Sequence, residues 1–247
     1  MTLKIRELYS PNFYTKPRNL KSIKFLIFHY TGMKNEKVAI KRLTKIQSEV
    51  STHYLVKKNG IILRMVPDLH VAWHAGSSRW KKYKSLNKNS IGIEITNPGH
   101  QYGYAFFSKK QIKSIIELSK VLIKKYKIKK NNILGHSDIS PERKKDPGEK
   151  FPWQKLYNNR IGIWHNLNKN MLFKLRKKKI TSKEIKLFHT NLKKFGYSAK
   201  SLSKVNKYKY KILLIKAFQR RFRPELINGI IDQECLIISN KINTFIL

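Results

Sequence analysis

The chain has almost no cysteine. Cys235 stands alone among 247 residues, which excludes an internal disulfide and any zinc finger built on paired cysteines. Acidic residues are also scarce: 14 Asp and Glu face 54 Lys and Arg, for a net charge of +40. Nowhere does an apolar run approach the ~18 residues of a membrane-spanning helix. The N-terminal stretch "MTLKIRELYSPNFYTKPRNLKS" lacks both an apolar signal core and a cysteine that could carry a lipid. As written, the chain is expected to stay in the cytoplasm. Disorder is excluded as well, because 40% hydrophobic residues suffice for a sizeable core.

The positive charge attracts polyanions of any kind, including nucleic acid and anionic wall polymers. Only 11 of the 54 basic residues are Arg, and Ile and Asn are abundant. That bias is what codon drift in an AT-rich genome produces. Readers of nucleic-acid sequence rely more on the arginine fork. With no helix-turn-helix signature and no RNA-binding aromatic motif, no specific nucleic-acid partner is expected.

The pattern of the first two-thirds interleaves strands and helix. "SIKFLIFHY" reads as a buried strand. "STHYLVKKNGIILRMVP" reads as a hairpin turning at Asn59-Gly60. "SIGIEIT" is a third strand, with Ile91, Ile93 and Ile95 on one face and Gly92 and Glu94 on the other. A helix starts at the capping box Ser108/Gln111, with Ile112, Ile115, Ile116, Ser119, Leu122, Ile123 and Tyr126 as its expected buried stripe. The fold class is therefore α/β (α+β): a mixed β-sheet flanked by helices. The segment "HNLNKNMLFKLRKKK" reads as a linker or strap. Beyond it come three short helices: one opened by Thr181/Glu184 with a stripe of Ile185, Phe188, Leu192 and Phe195, one ended by Pro224, and one capped by Asp232. They make a small three-helix C-terminal domain over residues 181–247, beside a main domain over residues 1–170.

Three residues offer metal-ligand chemistry. His29 ends the first strand, and His136 ends the short apolar run "NNILGH". Asp146 follows ten residues later, before Pro147-Gly148. Pro141 prevents a regular helix between them, so the segment can loop back and bring Asp146 beside His136. Two His and one Asp make a three-ligand site with an open fourth position, which is how catalytic zinc is held. Glu94 lies mid-strand between isoleucines, where a carboxylate is costly without a task. Burial should raise its pKa, which suits a group that takes a proton from water. Lys144 could then stabilise a negative oxygen.

"FLIFHYTG", "STHYLV", "VAWHAG", "NSIGIEITNPG" and "GHSDISPERKKDPGEKFPW" occur in this order. Together they resemble the zinc-dependent N-acetylmuramoyl-L-alanine amidases of the Amidase_2 family, over residues 23–164. "LKKFGYS" and "AFQRRFRPELINGIIDQE" resemble a three-helix peptidoglycan-binding domain, and the two-part layout resembles the AmiD-type branch. The resemblance implies Zn²⁺ on His29, His136 and Asp146, Glu94 as acid/base and Lys144 as oxyanion stabiliser. It implies a peptidoglycan or muropeptide substrate, with His74 and Trp73 of the "AWHAG" box lining its cleft. Related enzymes are often exported, whereas no export signal is visible here. The alternative function is a non-catalytic peptidoglycan-binding protein. A monomer is expected.

Overall fold

The computed structural model describes residue 3 and residues 5–245. Met1, Thr2 and Lys4 of the polar N-terminal stretch, and Ile246 and Leu247 of the C-terminal module, lie outside the described residues. In chain order the strands are β1 (Ile5–Glu7), β2 (Phe13–Tyr14), β3 (Phe25–Tyr30), β4 (Tyr54–Val56), β5 (Ile62–Arg64), β6 (Val71–Ala72), β7 (Arg79–Trp80), β8 (Tyr83–Lys84), β9 (Ser90–Ile95) and β10 (Ile133–Gly135). The α-helices are α1 (Glu36–Thr44), α2 (Lys109–Tyr126), α3 (His136–Ile139), α4 (Trp153–Asn158), α5 (Lys169–Leu175), α6 (Ser182–Phe195), α7 (Lys207–Phe222) and α8 (Gln233–Asn243).

The main sheet has the order β1-β5-β4-β9-β3-β10. β4 and β5 pair antiparallel, as the Asn59-Gly60 turn demands, with Gly60 at φ +86°. β9 pairs parallel with both β4 and β3, and β3 pairs parallel with β10. The sheet is therefore mixed, as the sequence pattern implied. Parallel strands need cover on both faces, which explains why Phe25 through Phe28 are wholly buried. Ser90, Gly92 and Glu94 lie on the opposite face of β9 from Ile91, Ile93 and Ile95.

α2 has the expected capping box, with Ser108 and Gln111 bonded reciprocally. Its buried face is turned relative to the expected stripe. Gln111, Ile115, Leu118, Ser119, Leu122 and Tyr126 are buried, while Ile112, Ile116 and Ile123 are only partly so. Gln111 is drawn inward because its Nε2 donates to Thr96 O at 2.8 Å.

The expected linker contains a helix. Asn168 caps α5 by accepting from Met171 N at 3.1 Å, and Leu172 is buried beneath it. α6, α7 and α8 form with the caps expected at Thr181 and Asp232, though Ile185 stays exposed and Asn191 takes a buried place instead. Hydrophobic contacts run without a break from the sheet into these helices. Trp80, wholly buried, packs edge-on against Phe195 and Tyr197. Arg221 of α7 donates to Asp138 Oδ2 at 2.5 Å and to Ile133 O at 3.0 Å. Its guanidinium also lies 4.4 Å from the Trp153 ring centroid. Asp138 accepts as well from Gly135 N at 2.8 Å and Tyr197 Oη at 2.6 Å. The turn α3 is thus gripped between sheet and C-terminal helices.

Breaking a buried ion pair on one side strands the other charge, at a cost of about 3–5 kcal/mol. Arg221→Met should lower the unfolding free energy by that amount, read as a lower urea midpoint with an unchanged slope, and adding Asp138→Asn should recover part of it. An Arg221→Met midpoint equal to wild type would show that Asp138 finds other compensation.

Candidate metal centre and cleft

The parallel register sets the site. His29 of β3 stands opposite Glu94 of β9, and β10 runs beside β3 until Gly135 meets Phe28, which places His136 next to His29. All three lie at the carboxyl ends of adjacent strands, where open α/β sheets place ligands. The loop after α3 then returns as the sequence implied. Ser137 N donates to Asp146 O at 2.8 Å and closes it.

The three expected ligands converge. His29 Nδ1 and His136 Nδ1 are 2.9 Å apart, and each lies 3.0 Å from Asp146 Oδ2. Exposure is 1% for His29, 3% for His136 and 6% for Asp146. Ligands at about 2.0–2.2 Å around a tetrahedral ion lie about 3.3 Å apart, so this triangle needs little widening to hold zinc. The donor set fits such an ion chemically. His136 Nε2 faces Ala75 O at 3.1 Å, and a carbonyl only accepts, so Nε2 carries the proton and Nδ1 is left bare. A bare imidazole nitrogen against a buried carboxylate is a cation-seeking arrangement.

The charge states agree with that assignment. Burial above all pushes His29 down to about 4, so it is neutral at neutral pH. Burial alone would raise the Asp146 carboxyl. The two imidazoles facing it, His136 ahead of His29, outweigh it and hold the group far below the usual carboxylate range.

The triangle opens into a cleft of about 440 Å³. Trp73, His74, Glu94, Lys144 and Arg143 line it together with Tyr30. Glu94 as a residue is partly exposed, yet its Oε2 is out of solvent and has no partner among the described residues. Burial, helped by the negative charge of Asp146 and opposed by Lys144, pushes its carboxyl up to about 8. The backbone of Lys144 is held by Ser140 O at 3.0 Å. Trp73 borders the cleft, with its buried Nε1 unpartnered among the described residues. His74 also borders the cleft but is 8% exposed, and its Nδ1 lies 3.0 Å from His29 Nε2. Sequence reading overlooked Ala75, whose carbonyl orients His136, and Ser90, which touches His74. The alternation of Ser90, Gly92 and Glu94 on one strand face was the available signal.

With this geometry in place, the comparisons define the class. The N-acetylmuramoyl-L-alanine amidase model (Amidase_2) matches residues 19–149, and the chain belongs to that family. It is 35% identical over 232 residues to the N-acetylmuramoyl-L-alanine amidase AmiD of Escherichia coli K12, covering 89% of this chain and 82% of AmiD. It is 36% identical over 172 residues to the 1,6-anhydro-N-acetylmuramyl-L-alanine amidase AmpD of Haemophilus influenzae, covering 62% of this chain and 91% of AmpD. The structure of E. coli AmiD in complex with the substrate anhydro-N-acetylmuramic acid-L-Ala-D-gamma-Glu-L-Lys superposes with a TM-score of 0.77 at 33% identity, covering 93% of this chain and 91% of that one. The chain is an enzyme that hydrolyses the amide bond between N-acetylmuramic acid and L-alanine in peptidoglycan. No described helix is long and apolar enough to cross a membrane.

The raised Glu94 pKa carries a stability consequence for the metal-free protein. The unfolded carboxyl ionises near its ordinary 4.5, whereas the folded one holds its proton to about 8. Unfolding between those values releases a proton, so stability is full below the lower value and is lost as pH rises toward the upper. Relative to Glu94→Gln, metal-free wild type should melt at progressively lower temperature as pH rises from about 5 to about 8. A difference that stays constant across this range would show that the Glu94 carboxyl is not perturbed.

Proposed function

We propose that the enzyme is a zinc amidase whose ion is held by His29, His136 and Asp146. The convergence of these three buried donors within 3.0 Å, from three separate stretches of chain, is the observation that carries the reading. Held by these residues, the ion would supply Lewis acidity to the scissile carbonyl and to the attacking water.

The remaining work falls to the chain. Glu94 takes the proton of the attacking water and returns it to the departing L-alanine nitrogen. Its burial favours the protonated form, while positive charge at the triangle and the Lys144 ammonium draw it back toward a working range. Lys144 faces the oxygen that becomes negative as the carbonyl turns tetrahedral. Trp73 forms a wall for the muramoyl part of the substrate. Because the relatives named above act on anhydro-muramoyl peptides, muropeptide fragments of that class are the proposed substrate. The module of α6–α8 adds retention on the wall polymer, an anionic surface to which α6 presents Lys183, Lys186, Lys193 and Lys194.

The direct test is mass spectrometry of anhydro- and ordinary muropeptides after incubation with zinc-loaded protein. Stem peptide should appear, cease after chelation and return with zinc. His29→Ala, His136→Ala and Asp146→Ala should each lose tight zinc binding and turnover. A variant that kept full occupancy and rate would remove that residue from the ligand set. Glu94→Gln should keep its zinc and its substrate affinity while turnover falls about 10²–10⁴-fold. Near-normal turnover of a folded, zinc-loaded Glu94→Gln would assign proton transfer to another group.

A further inference from the structure

His136 has its tautomer set by a backbone carbonyl, but His29 does not. Among the described residues, the Nε2 of His29 faces only another imidazole, Nδ1 of His74, at 3.0 Å. Two imidazole nitrogens can share one proton in either direction, so something further must decide which carries it. The deciding contacts lie behind His74. Ser90 Oγ is 2.6 Å from Leu86 O, and since that carbonyl only accepts, the hydroxyl proton is committed to it. Ser90 Oγ is then an acceptor toward His74 Nε2, 3.2 Å away. His74 Nε2 therefore carries the proton and Nδ1 is bare. His29 Nε2–H must donate to it, and His29 Nδ1 is left bare on the side of His136 and Asp146.

The seat of His74 is built for this. Asn87 Oδ1 accepts from His74 N at 3.1 Å and from Ala75 N at 2.7 Å. The ring lies over Gly92 of β9, where a Cβ would meet His74 Cγ at 2.4 Å. Only glycine at that strand position leaves room for the imidazole. The polar face of β9 thus has one position for the ring, one for its acceptor and one for Glu94.

Building on the zinc-site reading above, we propose that His74 is a positioning residue. It relays the Leu86–Ser90 hydrogen-bond direction to His29 and so holds His29 Nδ1 bare and aimed at the metal position. This is a different task from the substrate contact expected from the "AWHAG" box. Outer partners of a ligating histidine are commonly worth about 10–100-fold in metal affinity.

Zinc affinity should be measured by competition with a chromophoric chelator, alongside melting temperature and the separate kcat and KM for a muropeptide. His74→Leu, which fills the space without an acceptor, should bind zinc about 10–100-fold more weakly. His74→Asn, whose Oδ1 can occupy the place of Nδ1, should recover most of that loss. If His74→Leu instead kept wild-type zinc affinity while KM rose, His74 would be a cleft wall and the proposal would fail. Equal losses in both variants, tracking melting temperature, would make it packing alone and also overturn it. Should the variants not fold, nitrogen-detected NMR of the wild-type imidazoles decides. The metal-free protein should show His29 as the Nε2–H tautomer, and an Nδ1–H tautomer overturns the proposal. A wild-type protein without tight zinc binding would overturn both this proposal and the reading beneath it, whereas a zinc-binding wild type with unaffected His74 variants would overturn only this one.

Discussion

The parallel pairing of β3 with β9 and β10 is the constraint on which the site depends. It sets His29 opposite Glu94 and delivers His136 beside His29 at one end of the sheet. A slip of one residue in either pairing would turn one of these side chains to the other face. The register is strongly held because both faces are buried, and the isoleucines of β9 would lose their packing in any shifted arrangement.

That rigidity has an electrostatic counterpart. The same burial that fixes the strands depresses His29 and raises Glu94. One group is thereby neutral and able to ligate, while the other is protonated in the absence of a nearby cation. The donors of such a centre, His29, His136 and Asp146, are close enough together that they could hold a metal ion. Lys144, which lines the same cleft, supplies part of that charge from the chain itself.

The C-terminal helices reach toward the centre. Arg221 enters from α7 to bind Asp138, two residues past His136 in the short turn α3. Trp80, which sits five residues beyond the "WHA" stretch, seals the same seam against Phe195 and Tyr197. Mechanical support for the turn that carries His136 is thus divided between the sheet and helices that the sequence pattern sets apart as a small separate module.

Much of this was legible in the linear chain, because the relevant signals are local. The Asn59-Gly60 hairpin, the capping boxes at Ser108 and Thr181 and the alternation through Glu94 each rest on contacts within a few residues, and each formed. His29, His136 and Asp146 could be suspected because a histidine at the end of an apolar run, and an aspartate after a proline-broken loop, are poorly explained by packing. Long-range geometry decided the rest. The face of α2 turned because Gln111 found Thr96 O, a partner no periodicity announces. α5 lies within a stretch that resembles a strap, with Leu172 buried and the helix in contact with α8. The task of His74 depends on a proton direction passed from Leu86 through Ser90, residues whose types carry no such information until the sheet places them in line. Local sequence specifies elements and caps, but the direction of a buried hydrogen bond is set by what stands at its far end, and only the folded chain decides that.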